Sequence, residues 1–332
     1  MTEQKFHIDI NGVPAECFAS ERTCPRGGSQ NHYSSLEEAQ YYADFLNEIE
    51  VNMSLTKYIE EKKEMTLDKV EKRGVLVERI FKATPMERFN TKNFYYDSTK
   101  GVWDKDRKKL QDEIIDKFID KYKDVPCEKK VVFSAGLPGA GKTTVLKQIN
   151  EINLKDYAVI NADDIKEEMA KMGMIPEIRG LTPLECAGLI HYESSKIADN
   201  LQKRLANQGK NVIYDMTSKN RESVERRIGI FKEQGYKVED VTMVFVDIKL
   251  GTSKQRAMER YMHGINDYIM CKNNLGGRYI PDSVFEDCKP TMKGKHSKNQ
   301  EVFENIIQDK TIPMQAISYS NEIYGQVPKR IY

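Results

Sequence analysis

The sequence predicts a doubly wound α/β fold, a largely parallel sheet covered by helices, preceded by a helical, hairpin-containing N-terminal extension. Two observations carry that prediction. From Val131 onward the short β-branched runs "VVFSA", "YAVIN", "NVIYD" and "VTMVFVDI" alternate with helical stretches. Near-continuous apolar strands of this kind belong to a parallel sheet buried on both faces. The first run leads directly into the glycine-rich "GLPGAGKTT", Gly136 to Thr144, which opens a helix.

Three regions are expected along the chain: residues 1–34, 35–125 and 126–332. The first is turn-rich, and the alternation in "KFHIDI" followed by Asn11-Gly12 predicts a hairpin. Cys17, Cys24 and His32 can be read as zinc ligands. Their spacing matches no strong zinc pattern and a fourth ligand is missing, so cysteines of a small core are expected. The second region is helical and heavily charged. A Ser-capped helix carries Leu36, Ala39, Ala43 and Leu46 at helical spacing. A second presents Leu110, Ile114, Phe118 and Tyr122 on one stripe. Charge runs here read as solvated faces. In the third region a long helix from Thr182 to Asn207 is expected to end at Gly209, just before "NVIYD".

Composition excludes several classes. Lys+Arg number 52 against Asp+Glu 51, a formal net charge of +1, so nucleic-acid affinity requires a local patch. No apolar stretch approaches the roughly eighteen residues of a membrane helix, and "MTEQKFHIDI" lacks the layout of a secretory signal. Six scattered cysteines form no disulfide framework, which points to reduced thiols in a cytoplasm.

Gly136-x-x-x-x-Gly141-Lys142-Thr143 fits the Walker A pattern in its required strand–loop–helix setting. Backbone N–H groups of Gly136, Leu137, Gly139, Ala140, Gly141 and Thr144 line the phosphate cradle, with Pro138 completing the loop and the helix N-terminus aiding. Lys142 spans the β- and γ-phosphates of ATP, and the Thr143 hydroxyl ligates Mg²⁺. A kinase also needs a carboxylate that takes the acceptor's proton. "VINADDIKEEM" offers Asp163 and Asp164 at the end of the second strand, where an open α/β sheet meets its ligand. Asp163 reads equally well as a helix cap. Asp215 ends the third strand, where contact with substrate or the Mg²⁺ water competes with a plain turn, and Thr217 follows it. Arg256 and Arg260 lie four apart on one helix face, and Arg278 sits in the Gly-rich "NNLGGRYIP".

Walker A, then Asn-x-Asp-Asp, "HYESS", "NVIYDMTSKNR", an Arg-rich helix and "GGRYIP" resemble the zeta-toxin family of P-loop kinases, close to the polynucleotide 5′-hydroxyl kinases. The resemblance covers roughly Asp104 to Cys288. It implies that Asp163 is the base, leaving Asp164 to start the helix, and that Glu193 contacts the acceptor together with Asp215 and Thr217. It further implies that Arg278 and Arg256 stabilise transferring charge and that Arg260 contacts the nucleotide, whereas His191 is a packing or surface residue. The implied activity is ATP- and Mg²⁺-dependent phosphorylation of a small nucleotide-linked hydroxyl compound such as UDP-N-acetylglucosamine, with an antitoxin-like protein partner and no membrane. The alternatives are an oligonucleotide 5′-hydroxyl acceptor or a nucleotide-binding phage interaction protein without turnover. Where zeta toxins carry Glu-Gly-Thr after the third strand, this chain carries Asp-Met-Thr. The N-terminal stretch also resembles Cys-Pro-x-Gly-Gly…His segments at the head of some phage-associated proteins.

Overall fold

The computed structural model describes residues 4–9, 13–18, 32–82, 89–178, 180–309, 314–323 and 326–332. The chain forms two compact units that interleave along the sequence. Residues 1–105, 170–192 and 262–278 make the first, and 106–169, 193–261 and 279–332 the second.

In chain order, β1 (Lys5–Ile8) and β2 (Pro14–Cys17) form the expected hairpin ladder, its Asn11-Gly12 turn lying outside the described residues. Helix α1 (Leu36–Met53) begins where Ser35 Oγ accepts from the Glu38 amide at 3.0 Å. Its buried stripe is Ala39, Tyr42 and Ala43, whereas Leu36, the first residue of the helix, is exposed; the Leu46 side chain lies outside the described residues. Then come α2 (Thr56–Glu61), α3 (Leu67–Lys82), α4 (Thr91–Tyr95) and a short β3–β4 ribbon (Tyr96–Asp97, Val102–Trp103). Tyr42 stacks on Phe89 at 5.6 Å and meets Tyr33 at 5.4 Å, giving this unit an aromatic centre. Arg73 is buried and holds Glu185 through two hydrogen bonds of 2.6 Å.

Helix α5 (Lys105–Lys121) buries Ile114, Ile115 and Phe118, and Tyr122 just beyond it donates to the Val159 carbonyl at 3.1 Å. The strands of the second unit are β5 (Val131–Gly136), β6 (Ala158–Ile160), β7 (Val212–Met216), β8 (Val241–Asp247), β9 (Gln315–Ser320) and β10 (Lys329–Arg330). Their order is β10-β9-β8-β5-β7-β6, parallel throughout except for antiparallel β10. Every residue of β5 is buried, as a central strand covered on both faces requires. The intervening helices are α6 (Lys142–Gln148), α7 (Ala162–Lys171), α8 (His191–Asn207), α9 (Arg221–Glu233), α10 (Leu250–Ile269), α11 (Asp282–Glu286) and α12 (Lys298–Gln308). The four expected strands are present. The helix expected from Thr182 instead starts as a 3₁₀ stretch, Glu185–Ile190, and becomes α-helical at His191. Pro183 withholds an amide there, and the Glu185 carboxylate takes both the amide and the hydroxyl of Thr182 (2.7 and 3.0 Å). Among the described residues no helix is long and apolar enough to cross a membrane.

Candidate active site

Successive strands leave β5 in opposite directions, toward β7 on one side and β8 on the other, so the sheet's switch point lies at the C-terminal end of β5. The Walker A loop occupies that end. Gly136 and Gly139 adopt φ of +142° and +74°, and a Cβ there would fall 2.5 Å from the Val246 carbonyl oxygen and 2.8 Å from that of Ser253. Backbone presses on the loop from both places, which is why glycine is needed. Ser253 Oγ donates to the Pro138 carbonyl at 2.6 Å, and Asn321 Nδ2 donates to that of Ala140 at 2.7 Å. The neighbouring Glu322 accepts from the Lys249 amide (2.8 Å) and from the Thr252 hydroxyl, and its carbonyl accepts from Arg256 Nη2 at 3.0 Å. The segment after β9 therefore braces the loop.

Lys142 Nζ donates to the carbonyls of Gly136 and Leu137 at 3.4 Å each and stands 3.6 Å from Asp215 Oδ1. Asp215 lies in register with Ser134 on β5. Its Oδ1 and the Ser134 hydroxyl are both buried with no hydrogen-bond partner among the described residues, although the Asp215 side chain as a whole keeps 21% exposure. Burial raises the Asp215 carboxyl, and the nearby Lys142 ammonium pulls it back down. The Asp215 carboxylate beside the loop, with the exposed Thr143 hydroxyl in the first turn of α6, is an oxygen donor set that suits a hard divalent cation and its waters.

At the head of α7, Asn161 Oδ1 accepts from the Asp163 amide at 2.8 Å, and the Asn161 carbonyl accepts from Ile165 at 3.3 Å. Asn161 is thus the cap. This corrects the expectation that Asp164 starts the helix, and it takes the capping role from Asp163. Both aspartates sit in the first turn. Asp163 Oδ1 lies 3.6 Å from Lys166 Nζ, whose side chain is 4% exposed. Burial, with the Arg260 charge adding to it, pushes the Lys166 ammonium down to about 8.

Arg256 and Arg260 lie on α10 within the second unit; Arg256 is half-buried beside the loop, and Arg260 is exposed. Arg278 closes the last segment of the first unit, and burial lowers its guanidinium to about 10. The Thr217 carbonyl accepts from Asn299 Nδ2 at 2.5 Å. His191 is exposed. Glu193, expected to face an acceptor, is fully buried, with Arg107 Nε and Nη2 on its two oxygens at 2.8 Å each and Gln111 Nε2 on Oε1 at 2.8 Å. A carboxylate engaged in this way is a structural anchor.

The zeta toxin family model matches residues 92–315 of the chain. The chain belongs to the zeta toxin family. Like the family it is an ATP-dependent kinase with the P-loop fold. Among solved structures, the PezAT toxin–antitoxin system of Streptococcus pneumoniae is 13% identical, with 68% of this chain and 79% of that one covered at a TM-score of 0.46. The AvrRxo1-ORF1:-ORF2 structure with ATP is 15% identical, with 75% and 71% covered at a TM-score of 0.49. The same complex with sulphate ions is 17% identical, with 70% and 68% covered at a TM-score of 0.49. No curated protein sequence matches.

In this zeta toxin family kinase, sequence reasoning missed Lys166, Arg107, Asn321 and Glu322. Lys166 had one signal, its place three residues after Asp163. Asn321 and Glu322 had none, since the brace they form exists only once β9 pairs with β8.

Proposed function

We propose that this kinase transfers the γ-phosphoryl group of ATP to a hydroxyl of a small nucleotide-linked acceptor of the UDP-N-acetylglucosamine kind. Asp163 is the base, and the single observation that carries its role is the transfer of the helix cap to Asn161, at 2.8 Å from the Asp163 amide. Relieved of capping, a carboxylate in the first turn of α7 serves to orient the acceptor hydroxyl. As the acceptor oxygen bonds to the γ-phosphorus, its proton passes to an Asp163 oxygen and ADP departs. Lys142 and Arg256 neutralise phosphate charge, with Arg260 and Arg278 in the supporting roles that the family pattern gives them. Mg²⁺ would be held by the Thr143 hydroxyl and the Asp215 carboxylate, and would supply charge neutralisation when bound. Glu193 has no part in the acceptor site. An antitoxin-like protein partner and a cytoplasmic setting belong to the same reading and rest on family membership alone.

The test is labelled ATP-Mg²⁺ offered with UDP-N-acetylglucosamine and, separately, with a 5′-hydroxyl oligonucleotide. Transfer to the nucleotide sugar is expected, falling roughly 10²- to 10⁴-fold in Asp163→Asn with ATP affinity kept. Labelling of the oligonucleotide end, or undiminished labelling by Asp163→Asn, overturns the acceptor class or the base respectively.

A further inference from the structure

We infer that His7, Cys17 and His32 form a binding site for a zinc-class divalent cation, in the first unit and separate from the kinase chemistry. The backbone brings them together. In the β1–β2 ladder Lys5 pairs with Cys17 and His7 with Ala15, so alternation places His7 and Cys17 on one face as diagonal neighbours. On the other side of β1, Phe6 and Tyr33 form an antiparallel bridge with reciprocal hydrogen bonds of 2.9 and 2.7 Å. That pairing sets His32 opposite His7 on the same face. Three extended segments thus each contribute one donor.

The side chains converge accordingly. His32 is 3% exposed, and its Nε2 lies 3.1 Å from Cys17 Sγ. The His7 and His32 rings meet edge-on with centroids 5.8 Å apart. One donor atom from each residue falls within 4.8 Å of the other two. Tetrahedral zinc, with bonds of about 2.0–2.1 Å to nitrogen and 2.3 Å to sulfur, spaces its donors about 3.3–3.6 Å apart, so the trio closes on an ion by side-chain rotation. A thiolate with two imidazoles selects zinc over Mg²⁺ or Ca²⁺, whereas the donors beside the Walker A loop are hard oxygens. Binding releases one proton, from the Cys17 thiol, and both imidazoles bind neutral. The ion would clamp a hairpin of four-residue strands, too short to stand alone, onto the segment that leads into α1.

The test uses the untagged full-length protein, with Zn²⁺ titrated against a chromophoric chelator and Co²⁺ as the spectroscopic probe. A stoichiometric Zn²⁺ site is expected, together with a thiolate-to-cobalt charge-transfer band that Cys17→Ser abolishes. Zn²⁺ affinity should fall in Cys17→Ser and His32→Gln by more than the roughly 10- to 100-fold that loss of an outer-sphere partner costs. ATP binding should be unchanged in both. If Cys17→Ser does not fold, the wild-type Co²⁺ spectrum and the more exposed His7→Gln decide the matter. Absence of stoichiometric Zn²⁺, a Co²⁺ complex without thiolate character, or affinity unmoved by the substitutions overturns the site.

Discussion

Glu193→Leu separates a structural anchor from an acceptor ligand. The Glu193 and Arg107 side chains are 0% and 6% exposed, and removing the carboxylate takes two hydrogen bonds from a buried guanidinium. Breaking such a pair costs about 3–5 kcal/mol, and the lost Gln111 hydrogen bond adds about 1 kcal/mol. Each kcal/mol moves the melting midpoint of a domain of 150–250 residues by about 2–4 °C, so a fall of about 10 °C or more is expected by calorimetry. Arg107→Met with Glu193→Leu should recover most of that loss, because an apolar pair of similar volume removes the uncompensated charge. At a temperature where the single variant is folded, its KM for the phosphate acceptor should match wild type. A Glu193→Leu protein of wild-type stability with a tenfold higher acceptor KM would refute the reasoning and return Glu193 to the acceptor site.

Lys142→Ala removes the 3.4 Å contacts to two loop carbonyls and the 3.6 Å approach to Asp215 Oδ1; its transfer rate should fall roughly 10²-fold or more, read by single-turnover kinetics. Gly139→Ala places a Cβ 2.8 Å from a backbone oxygen at a positive φ, and should weaken ATP binding in calorimetric titration while lowering stability by at least about 1–2 kcal/mol. Lys166→Met addresses pH. The folded value of Lys166, about 8, lies below its unfolded value, so between them the unfolded chain holds the extra proton and wild-type stability rises with pH. That rise, followed by urea unfolding from pH 8 upward, should be absent from Lys166→Met, which should also be the more stable protein at neutral pH. An identical slope in both proteins would show that Lys166 carries no such cost.

The sheet was legible because each parallel strand of the second unit up to β8 is a near-continuous apolar run, and burial on both faces demands that composition. β9 was not: "QAISYS" alternates polar and apolar residues and reads as a surface strand, yet Ile317 and Tyr319 are buried against β8. The interleaving of the two units was equally illegible. Residues 170–192 and 262–278 join the first unit through long-range contacts such as Arg73 Nε to Glu185 Oε1 at 2.6 Å and the Met65 amide to Asn266 Oδ1 at 2.8 Å, which leave no local pattern. The phosphate loop was plain because its glycines answer to backbone geometry alone. Glu193 was not, since its partners lie more than eighty residues earlier on α5.

Asn161, Ala162, Asp163 and Asp164 show how one short segment divides its tasks. The cap falls to Asn161, the residue whose side chain reaches the Asp163 amide. Asp163 then sits in the first turn of α7 with its Oδ1 3.6 Å from the Lys166 ammonium. Under the proposed mechanism this carboxylate takes the acceptor's proton late. That suits a loose, metaphosphate-like transition state, in which little nucleophilic bonding, and hence little acidity of the attacking hydroxyl, has developed early. Orientation of the hydroxyl then outweighs proton abstraction. Since Asn in place of Asp163 keeps one accepting oxygen at the same reach, its cost should fall near the lower end of the expected range, about 10²-fold. Asp163→Ala, which removes orientation and proton acceptance together, should lie well below it in the same labelled-ATP assay. Equal rates in Asp163→Asn and Asp163→Ala would show instead that proton transfer, and not positioning, is what the carboxylate provides.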